Sequence, residues 1–445
     1  MKTILFLFKV SLLILLFGSS CVQPFKSSET SPVNNDQALD GRGPEPEAAR
    51  LKSSQPEEAG VNSTVLKQID KIANEAIRKK AAPSITIMVI KDARVVFDKA
   101  YGTHTYSDRT PTQTSDIYDL ASLTKISATT LAAMRLYELG KLDLDANVGL
   151  YLTEARNTNK NRIRVRDLLL HEAGLVPQIP FHLRMSPRDY SRDSSSAYPT
   201  KVSDNYFLRK GYFREVMWPG MLNSPISDQG KYAYSDLSMY ILKEIVERQS
   251  GQKLENYVQE HFYQPLGMLH TGFNPLNRFT VGQIIPTEND VVFRKSLLRG
   301  YVHDEGAALA GGVSGHAGLF SNAGDLGVLF QMLINRGNYN GKNYFKPETV
   351  DLFTTKQSPL SRRGLGFDRW DPNSKSGFPS KLASPQTYGH TGFTGTCVWV
   401  DPKYNLIYIF LSNRVHPNRS DKLIQMNIRG RIQDVIYEAI AKNKQ

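Results

Sequence analysis

The chain has 445 residues and a formal net charge of +12, with 40% hydrophobic and 22% charged residues. This length is enough for one large folded domain or two smaller ones. No basic run is interleaved with aromatic residues, so the charge does not indicate nucleic-acid binding. The only two cysteines are Cys21 and Cys397, which excludes a disulfide framework and predicts Cys397 as a buried thiol.

The beginning of the chain predicts a targeting segment over residues 1–20. Lys2 and Lys9 are followed by the apolar run 10–17, which is too short to span a bilayer. Small residues then precede Cys21, and the arrangement resembles a bacterial lipoprotein box in which the cysteine is lipidated after cleavage. An ordinary secretory signal is the alternative. Both readings predict export, and the first predicts a lipid anchor in a bacterial membrane.

Residues 21–58 are rich in Ser, Pro, Asn, Glu and Gln and contain few large apolar residues. Such a segment buries too little surface to offset its chain entropy, so we expect a disordered tether. The folded domain is therefore predicted over 59–445.

Secondary-structure patterns place strands at both ends of this domain. A first helix is predicted from apolar residues at helical spacing: Leu66, Ile69, Ile72, Ala73, Ala76 and Ile77. A hairpin of 84–90 and 95–97 follows, and two more strands are predicted at 395–400 and 406–411 before a last helix. The section at about 140–380 is dominated by short helices and loops. These patterns predict an α/β fold with one lobe built from both termini and an inserted helical lobe.

A serine and a lysine open the apolar run 126–139. Ser122 and Lys125 are three residues apart, which on a helix brings their side chains within reach of each other. The unpaired N–H groups of a helix start favour negative charge, and a serine hydroxyl needs a neighbour that takes its proton. The alternative is that Ser122 is a helix cap and Lys125 a surface residue.

Two later motifs carry further candidate residues. Tyr234 and Asp236 precede the helical run 239–246, and such a tyrosine is either a core aromatic or a proton shuttle. The stretch 388–395 has glycines at spacings that let a substrate lie close to a strand edge. A backbone N–H from that edge and the N–H of Ser122 would together form an oxyanion hole. Read alone, the stretch is a glycine-rich turn.

The three motifs in this order resemble the serine β-lactamase and penicillin-binding protein superfamily, in the branch of class C β-lactamases, DD-peptidases and related esterases. The superfamily pattern is Ser-x-x-Lys, Tyr-x-Asn and Lys-Thr-Gly. Here it stands as Ser122 to Lys125, Tyr234 to Asp236, and His390-Thr391-Gly392. The resemblance implies a β-lactamase/transpeptidase-like fold with a central antiparallel sheet.

By this resemblance Ser122 is acylated, with Lys125 and Tyr234 as the base and acid pair. Which of the two takes the serine proton stays open. The oxyanion hole uses the N–H groups of Ser122 and Phe393, and the third motif contacts substrate.

Two residues depart from the superfamily pattern. Asp236 stands in place of an asparagine, and an ionised aspartate accepts hydrogen bonds without donating them. His390 stands in place of a lysine, so we expect a charge there that depends on pH. Both departures argue against an efficient β-lactamase.

A further stretch, 300–321, looks like a subgroup of these hydrolases associated with peptidoglycan turnover. Its His303, Asp304 and His316 are predicted to line the cleft and bind a sugar or peptide. They are alternatively a structural loop cluster or a zinc site. We find no metal motif in the sequence and expect no cofactor.

The predicted function is an exported serine hydrolase that cleaves amide or peptide bonds of peptidoglycan fragments, as a muramyl-peptide amidase or a DD-carboxypeptidase. An esterase or weak β-lactamase is the second possibility. A non-catalytic penicillin-recognising protein is the third. The sequence leaves the oligomeric state open.

Overall fold

The computed structural model describes residues 51–227, 229–371, 373 and 379–442. The predicted targeting segment, Cys21 and the tether as far as residue 50 lie outside the described residues. The predicted domain start at residue 59 is too late, because Lys52–Ser53 form a strand and Pro56–Ala59 a 3-10 helix. Among the described residues, no helix combines the length and hydropathy needed to cross a bilayer.

A seven-stranded sheet forms the centre of the molecule. In chain order its strands are β1 (Lys52–Ser53), β2 (Ser84–Lys91), β3 (Arg94–Gly102), β4 (Asp368–Arg369), β5 (Tyr388–Thr391), β6 (Cys397–Asp401) and β7 (Leu406–Ser412). The order across the sheet is β1-β3-β2-β7-β6-β5-β4, and every neighbouring pair is antiparallel except β1 with β3. The chain therefore builds the sheet from its two ends, as the sequence predicts.

Turn chemistry fixes the register of the first hairpin. Asp92 and Ala93 both have positive φ, at 52° and 58°, and they join β2 to β3 where Lys91 faces Arg94. Two consecutive residues with positive φ match the twist of a two-residue hairpin. On the other side, β2 pairs with β7 from Lys91 opposite Leu406 to Ile85 opposite Ser412.

Both faces of the sheet are covered, which explains the uninterrupted apolar run of β7. Tyr408 and Phe410 point to one core, and Ile407, Ile409 and Leu411 point to the other. Each fully buried side chain of this kind contributes about 1.5–3 kcal/mol. One face of the sheet packs against the helices Gln68–Arg78 and Ile428–Ala441, and the other face packs against the helix Ala323–Ile334 of the inserted segment.

The longer helices are α1 (Gln68–Arg78), α2 (Thr130–Glu138), α3 (Asp236–Ser250), α4 (Ala323–Ile334), α5 (Pro347–Thr354) and α6 (Ile428–Ala441). α2 continues from the π-helical turn Lys125–Thr129 and is followed by Gly140, whose φ is +67°. Shorter α-helices are Ser63–Leu66, Val148–Tyr151, Val165–Leu170, Trp218–Leu222, Leu254–Val258, Glu305–Leu309 and Lys422–Gln425. Further π-helical turns are Phe213–Met217 and Gln259–Tyr263, and further 3-10 turns are Thr153–Ala155, Phe181–Arg184, Pro187–Asp189, Pro275–Asn277, Val281–Gln283 and Pro402–Tyr404.

The inserted segment also contains small sheets. These are Tyr118–Asp119 with Leu319–Ser321 and Gly272–Phe273; Tyr190–Ser191 with Tyr206–Leu208 and Thr200–Ser203; Glu288–Asp290 with Ser296–Leu298; and Asn338–Tyr339 with Lys342–Asn343. The chain returns to the central sheet at β4, before the predicted limit of the helical lobe at residue 380. Cys397 is buried in β6, as predicted, and burial raises the pKa of its thiol to about 12.

Candidate active site

Ser122 lies in a tight turn immediately before the π-helical turn that begins at Lys125. Ala121 adopts a positive φ of 48°, and its N–H donates to the buried carboxylate of Asp119 at 2.8 Å. The N–H of Lys125 donates to the carbonyl of Ser122 at 3.0 Å. The carboxylate thus compensates for an unfavourable backbone conformation next to the candidate nucleophile.

The fully buried ammonium of Lys125 contacts three groups. It donates to the Ser122 hydroxyl at 2.9 Å and to the carbonyl of His316 at 3.3 Å. Its Nζ also lies 2.8 Å from Oδ1 of Asp236, a close charged contact that is not aligned as a hydrogen bond. Burial by itself lowers the pKa of Lys125, but the charge of Asp236 and the neighbouring Tyr234 together outweigh it, and the pKa is raised. The predicted contact between serine and lysine is therefore present, with the lysine as a cation.

The ring of Tyr234 lies over this ammonium, with Nζ 4.8 Å from the ring centroid. On its other sides the ring packs against His171 and His390, at centroid distances of 4.6 and 5.9 Å. His171 ends the helix Val165–Leu170, and its Nδ1 accepts the N–H of Ser235 at 3.2 Å. His171 thus makes a structural hydrogen bond at the end of this helix.

His390 is neutral in this structure, and the pH-dependent charge predicted for it is wrong. Burial, followed by the nearby cations Arg363 and Lys125, lowers the pKa of His390 to about 3. Its Nδ1 lies 2.7 Å from the carbonyl oxygen of Thr391. Because a carbonyl only accepts, Nδ1 carries the proton and Nε2 is a bare acceptor. The third motif therefore offers a lone pair where the superfamily has a lysine charge.

Hydrogen bonds join the turn after β5 to the turn that contains Ser122. Thr394 Oγ1 donates to the carbonyl of Asp119 at 2.8 Å, and Thr396 Oγ1 donates to that of Leu120 at 3.1 Å. A Cβ on Gly392 would lie 2.5 Å from the Leu120 oxygen, so only glycine allows this approach. The two segments predicted to supply the oxyanion hole are thus held side by side.

Within the part of the chain that the structure describes, the N–H groups of Ser122 and Phe393 donate to no other protein group. Unpaired donors from two adjoining turns are the arrangement that an oxyanion hole requires. The Phe393 side chain is 48% exposed, and its ring lies between His303 and Arg414, with centroid distances of 5.4 and 4.8 Å.

The segment around residue 303 also reaches the site. The His303 N–H donates to the second oxygen of Asp119 at 2.7 Å. Asp304 caps the helix Glu305–Leu309 and lies 2.8 Å from Nε2 of His316, whose Nδ1 lies 2.8 Å from the Ser314 hydroxyl. Burial opposes ionisation of Asp304, but His316 holds the pKa of this carboxyl well below its usual range.

A cavity of about 230 Å³ opens beside these residues. Predicted site residues among those lining it are Asp236, His303, Asp304, His316 and Phe393. Aromatic rings of Phe181 and Tyr240 and the side chains of Glu305 and Arg419 complete much of its wall. Carboxylates and aromatic faces together suit a ligand that has both hydroxyl donors and an apolar face.

The zinc alternative does not fit the predicted residues. Asp236, Asp304 and His316, rather than His303, offer ligand atoms within 4.8 Å of one another. The ammonium of Lys125 already lies against Asp236, and a second cation there would be repelled. We therefore assign no metal to this cluster.

Sequence reasoning missed two carboxylates that organise the site. Asp119 lies three residues before Ser122 and accepts hydrogen bonds from the backbone N–H groups of Ala121 and His303. Glu288 lies in a different strand and contacts His303 at 2.6 Å. Their partners are distant in the chain, so a single sequence shows no signal for either role.

Comparisons with known proteins agree with this geometry. A family model described as Beta-lactamase matches residues 69–431. A protein of Escherichia coli K12 named "Putative D-alanyl-D-alanine carboxypeptidase" is 37% identical over 403 residues, covering 83% of this chain and 87% of the relative. The N-acetylmuramyl-L-alanine amidase of Bacillus subtilis 168 is 34% identical over 391 residues, with coverage of 81% and 83%.

Solved structures share the fold at lower identity. EstCE1, a hydrolase with promiscuous acyltransferase activity, superimposes with a TM-score of 0.62 at 22% identity, covering 84% of this chain and 99% of its own. The octameric penicillin-binding protein homologue from Pyrococcus abyssi gives 0.57 at 21% identity, with coverage of 78% and 73%. The resemblance inferred from the motifs is confirmed. The chain belongs to the β-lactamase family and is a serine hydrolase of the serine β-lactamase and penicillin-binding protein superfamily.

Proposed function

We propose that this hydrolase forms an acyl-enzyme on Ser122 and cleaves amide bonds in peptidoglycan fragments. The observation that carries the proposal is the contact of Lys125 with both Ser122 and Asp236, beside the two unpaired N–H groups of Ser122 and Phe393. This arrangement places the Lys125 ammonium where it stabilises the negative charge that forms on the serine oxygen, and it places N–H donors where negative charge develops on the substrate.

In the proposed reaction, the Ser122 hydroxyl gives its proton to the pair formed by Lys125 and Tyr234 as its oxygen attacks the substrate carbonyl. The resulting oxyanion accepts hydrogen bonds from the N–H groups of Ser122 and Phe393. The same pair then protonates the leaving amine, and the product amine departs. Water hydrolyses the Ser122 ester and regenerates the free hydroxyl.

Within this class, we favour the bond between the lactyl group of N-acetylmuramic acid and the stem peptide. The cavity has carboxylates that accept sugar hydroxyls and aromatic rings that pack on a sugar face. His390 is neutral and so provides no fixed charge for a terminal carboxylate. The amidase name of the Bacillus subtilis relative supports the same choice.

A DD-carboxypeptidase is the second candidate. The buried cation Arg363 lies near His390, where it lowers the pKa of that histidine, and its Nε has no hydrogen-bond partner among the described residues. A guanidinium there would favour a substrate carboxylate. The name of the Escherichia coli relative points the same way.

The test is to incubate the purified full chain with a muropeptide mixture and to identify the products by mass spectrometry, beside a Ser122→Ala control. Release of intact stem peptide that depends on Ser122 supports the amidase. Loss of a single D-alanine would replace it with the carboxypeptidase. Cleavage of p-nitrophenyl esters alone would remove the peptidoglycan assignment, and products formed equally by Ser122→Ala would remove the acyl-enzyme.

We also propose that the protein is exported and lipid-anchored through Cys21. The support is the basic start, the short apolar run and the small residues before the cysteine. Intact mass of the mature protein from a bacterial membrane tests this proposal. A chain that begins at Cys21 and carries a diacylglyceryl group supports it, whereas an unmodified Cys21 contradicts it.

A further inference from the structure

His303 and Glu288 form a histidine–carboxylate pair in the wall of the cavity. Nε2 of His303 lies 2.6 Å from Oε2 of Glu288, although the contact is not aligned as a hydrogen bond. Arg419 donates to both oxygens of Glu288 and to Glu305. Burial opposes ionisation of Glu288, but His303 and Arg419 lower the pKa of its carboxyl. Glu288 is therefore an anion that faces one edge of the imidazole.

The charge of Glu288 fixes the tautomer of His303. A bare nitrogen facing a carboxylate oxygen at this distance would be repelled, so Nε2 carries the proton and Nδ1 has the lone pair. In the described part of the chain, no protein group binds Nδ1, and the side chain lines the cavity. The pair thus presents a free basic nitrogen on a side chain that lines the cavity, next to the oxyanion residue Phe393.

No other histidine of the site has this combination. Both ring nitrogens of His316 are engaged, with Asp304 and with the Ser314 hydroxyl. His390 has a free Nε2, but burial and the cations Arg363 and Lys125 disfavour its protonation. His303 instead has the carboxylate of Glu288 next to Nε2, on the side of the ring away from its free nitrogen.

Backbone contacts place His303 relative to the oxyanion residues. Its N–H donates to Asp119, the carboxylate that also holds Ala121 next to the nucleophile. Its ring stacks on Phe393 with an interplanar angle of 30°. The buried guanidinium of Arg294 donates to the His303 carbonyl at 2.7 Å, and this hydrogen bond holds the backbone at His303 in place.

We propose that His303, oriented by Glu288, is the general base that activates water for hydrolysis of the acyl-enzyme. This inference rests on the proposed function. Nδ1 of His303 takes a proton from a water molecule as the water oxygen bonds to the acyl carbon. The tetrahedral intermediate then collapses, the bond to Ser122 Oγ breaks, Oγ takes a proton from the pair formed by Lys125 and Tyr234, and the proton on His303 returns to that pair through solvent. Acylation and deacylation thus use different bases.

The proposal is tested on the full chain by rapid mixing with a p-nitrophenyl ester and intact-mass measurement of the quenched protein. In His303→Gln we expect the initial burst of nitrophenol to be retained. Steady-state turnover falls by about 100- to 1000-fold, which is the usual contribution of a general base. The acylated form of His303→Gln should accumulate and appear as a mass adduct. Replacing Ser122 by alanine should abolish this adduct. Glu288→Gln slows the same step by a smaller factor.

His270→Gln is the matched control, because His270 also faces a carboxylate, that of Asp325 at 4.0 Å, but does not line the cavity. Hydroxylamine, which attacks an ester without a base, should release the adduct from His303→Gln at the wild-type rate. Equal slowing of burst and turnover, or no adduct in His303→Gln, would overturn the role of His303. Absence of any acylation in the wild type would instead overturn the proposed function.

Discussion

Replacing Asp236 by asparagine tests whether the contact between Asp236 and Lys125 sets the charge of the candidate base. In the native protein burial lowers the pKa of Lys125, and the pKa is nevertheless raised because Asp236 and Tyr234 together outweigh burial. Asparagine has the same shape without the charge, and it is the residue that the superfamily pattern has at this position. Without the anion, burial dominates, and we expect the pKa of Lys125 to fall.

The magnitude follows from the geometry of the pair. Two unit charges 4 Å apart interact by about 4 kcal/mol at an effective dielectric constant near 20. Nζ and Oδ1 are 2.8 Å apart, but the Asp236 side chain is 20% exposed, which weakens the interaction. A factor of ten in rate corresponds to about 1.4 kcal/mol, so the loss of this interaction should raise the labelling rate at a fixed pH on the acidic limb by about 100-fold.

The assay is the second-order rate of Ser122 labelling by a fluorescent phosphonate, measured from about pH 5 to about pH 10. If Lys125 takes the serine proton, the acidic limb of the rate profile moves to lower pH in Asp236→Asn. Asp304→Asn is the control, because Asp304 contacts His316 rather than Lys125, and asparagine caps a helix as well as aspartate does.

An acidic limb that stays in place in Asp236→Asn would show that Lys125 is not the group whose deprotonation limits labelling, and Tyr234 would then be the better candidate for the base. An equal shift in Asp304→Asn would show a general loss of negative charge rather than the loss of one ion pair. Both outcomes would refute the reasoning about this contact.

Three further changes have expected results that follow from single contacts. Gly392→Ala places a Cβ 2.5 Å from a backbone oxygen and should displace the turn that supplies the Phe393 N–H, so phosphonate labelling of Ser122 should slow about 100-fold. The control is Gly282→Ala, where the added Cβ meets open space and labelling should match wild type. His390 has a pKa of about 3 when folded and about 6.5 when unfolded, so its contribution to stability is lost as pH falls through this range. Between pH 7.5 and pH 5, the free energy of unfolding measured in urea should therefore fall by about 2 kcal/mol less in His390→Gln than in wild type. The same pH dependence in both proteins would contradict this role of His390. Asp119→Ala leaves two N–H groups without an acceptor and should lower the free energy of unfolding by about 3 kcal/mol, against a smaller loss in Asp119→Asn; a loss below about 1 kcal/mol would count against the role of Asp119.

The central sheet and the contact of Ser122 with Lys125 could be predicted because each depends on local sequence. Alternating and continuous apolar runs predict strands, and a spacing of three residues predicts neighbouring side chains. The predicted helix differs in one respect, because Ser122 lies in the turn before it, Leu123 and Thr124 are its first residues, and a π-helical turn begins at Lys125. Ala121 with its positive φ explains this difference, and a single sequence does not indicate such strain at an alanine.

The electrostatics of the site could not be predicted in the same way. The charge of His390 depends on its burial and on Arg363 and Lys125, of which Lys125 is far away in the chain. Likewise, the pairing of Glu288 with His303 requires two segments to meet at the cavity. Pattern reasoning identified these residue types correctly but had no information on the dielectric environment or the neighbours that set their charge.

The two departures from the superfamily pattern have linked consequences. The neutral His390 stands where the superfamily pattern has lysine, which removes one positive charge. Asp236 stands where the pattern has asparagine, which adds one negative charge. The ammonium of Lys125 lies against Asp236, so the added anion is compensated at the nucleophile rather than left for substrate. In place of the lysine charge, the third motif has the buried Arg363 nearby, which is held by the carbonyl of Gly366 at 3.1 Å. A substrate whose recognition depends on hydroxyl groups and an apolar face loses nothing from this exchange. A substrate whose carboxylate needs a fixed cation loses the lysine charge, and for this reason we propose the muramyl amide rather than the terminal D-alanine as the site of cleavage.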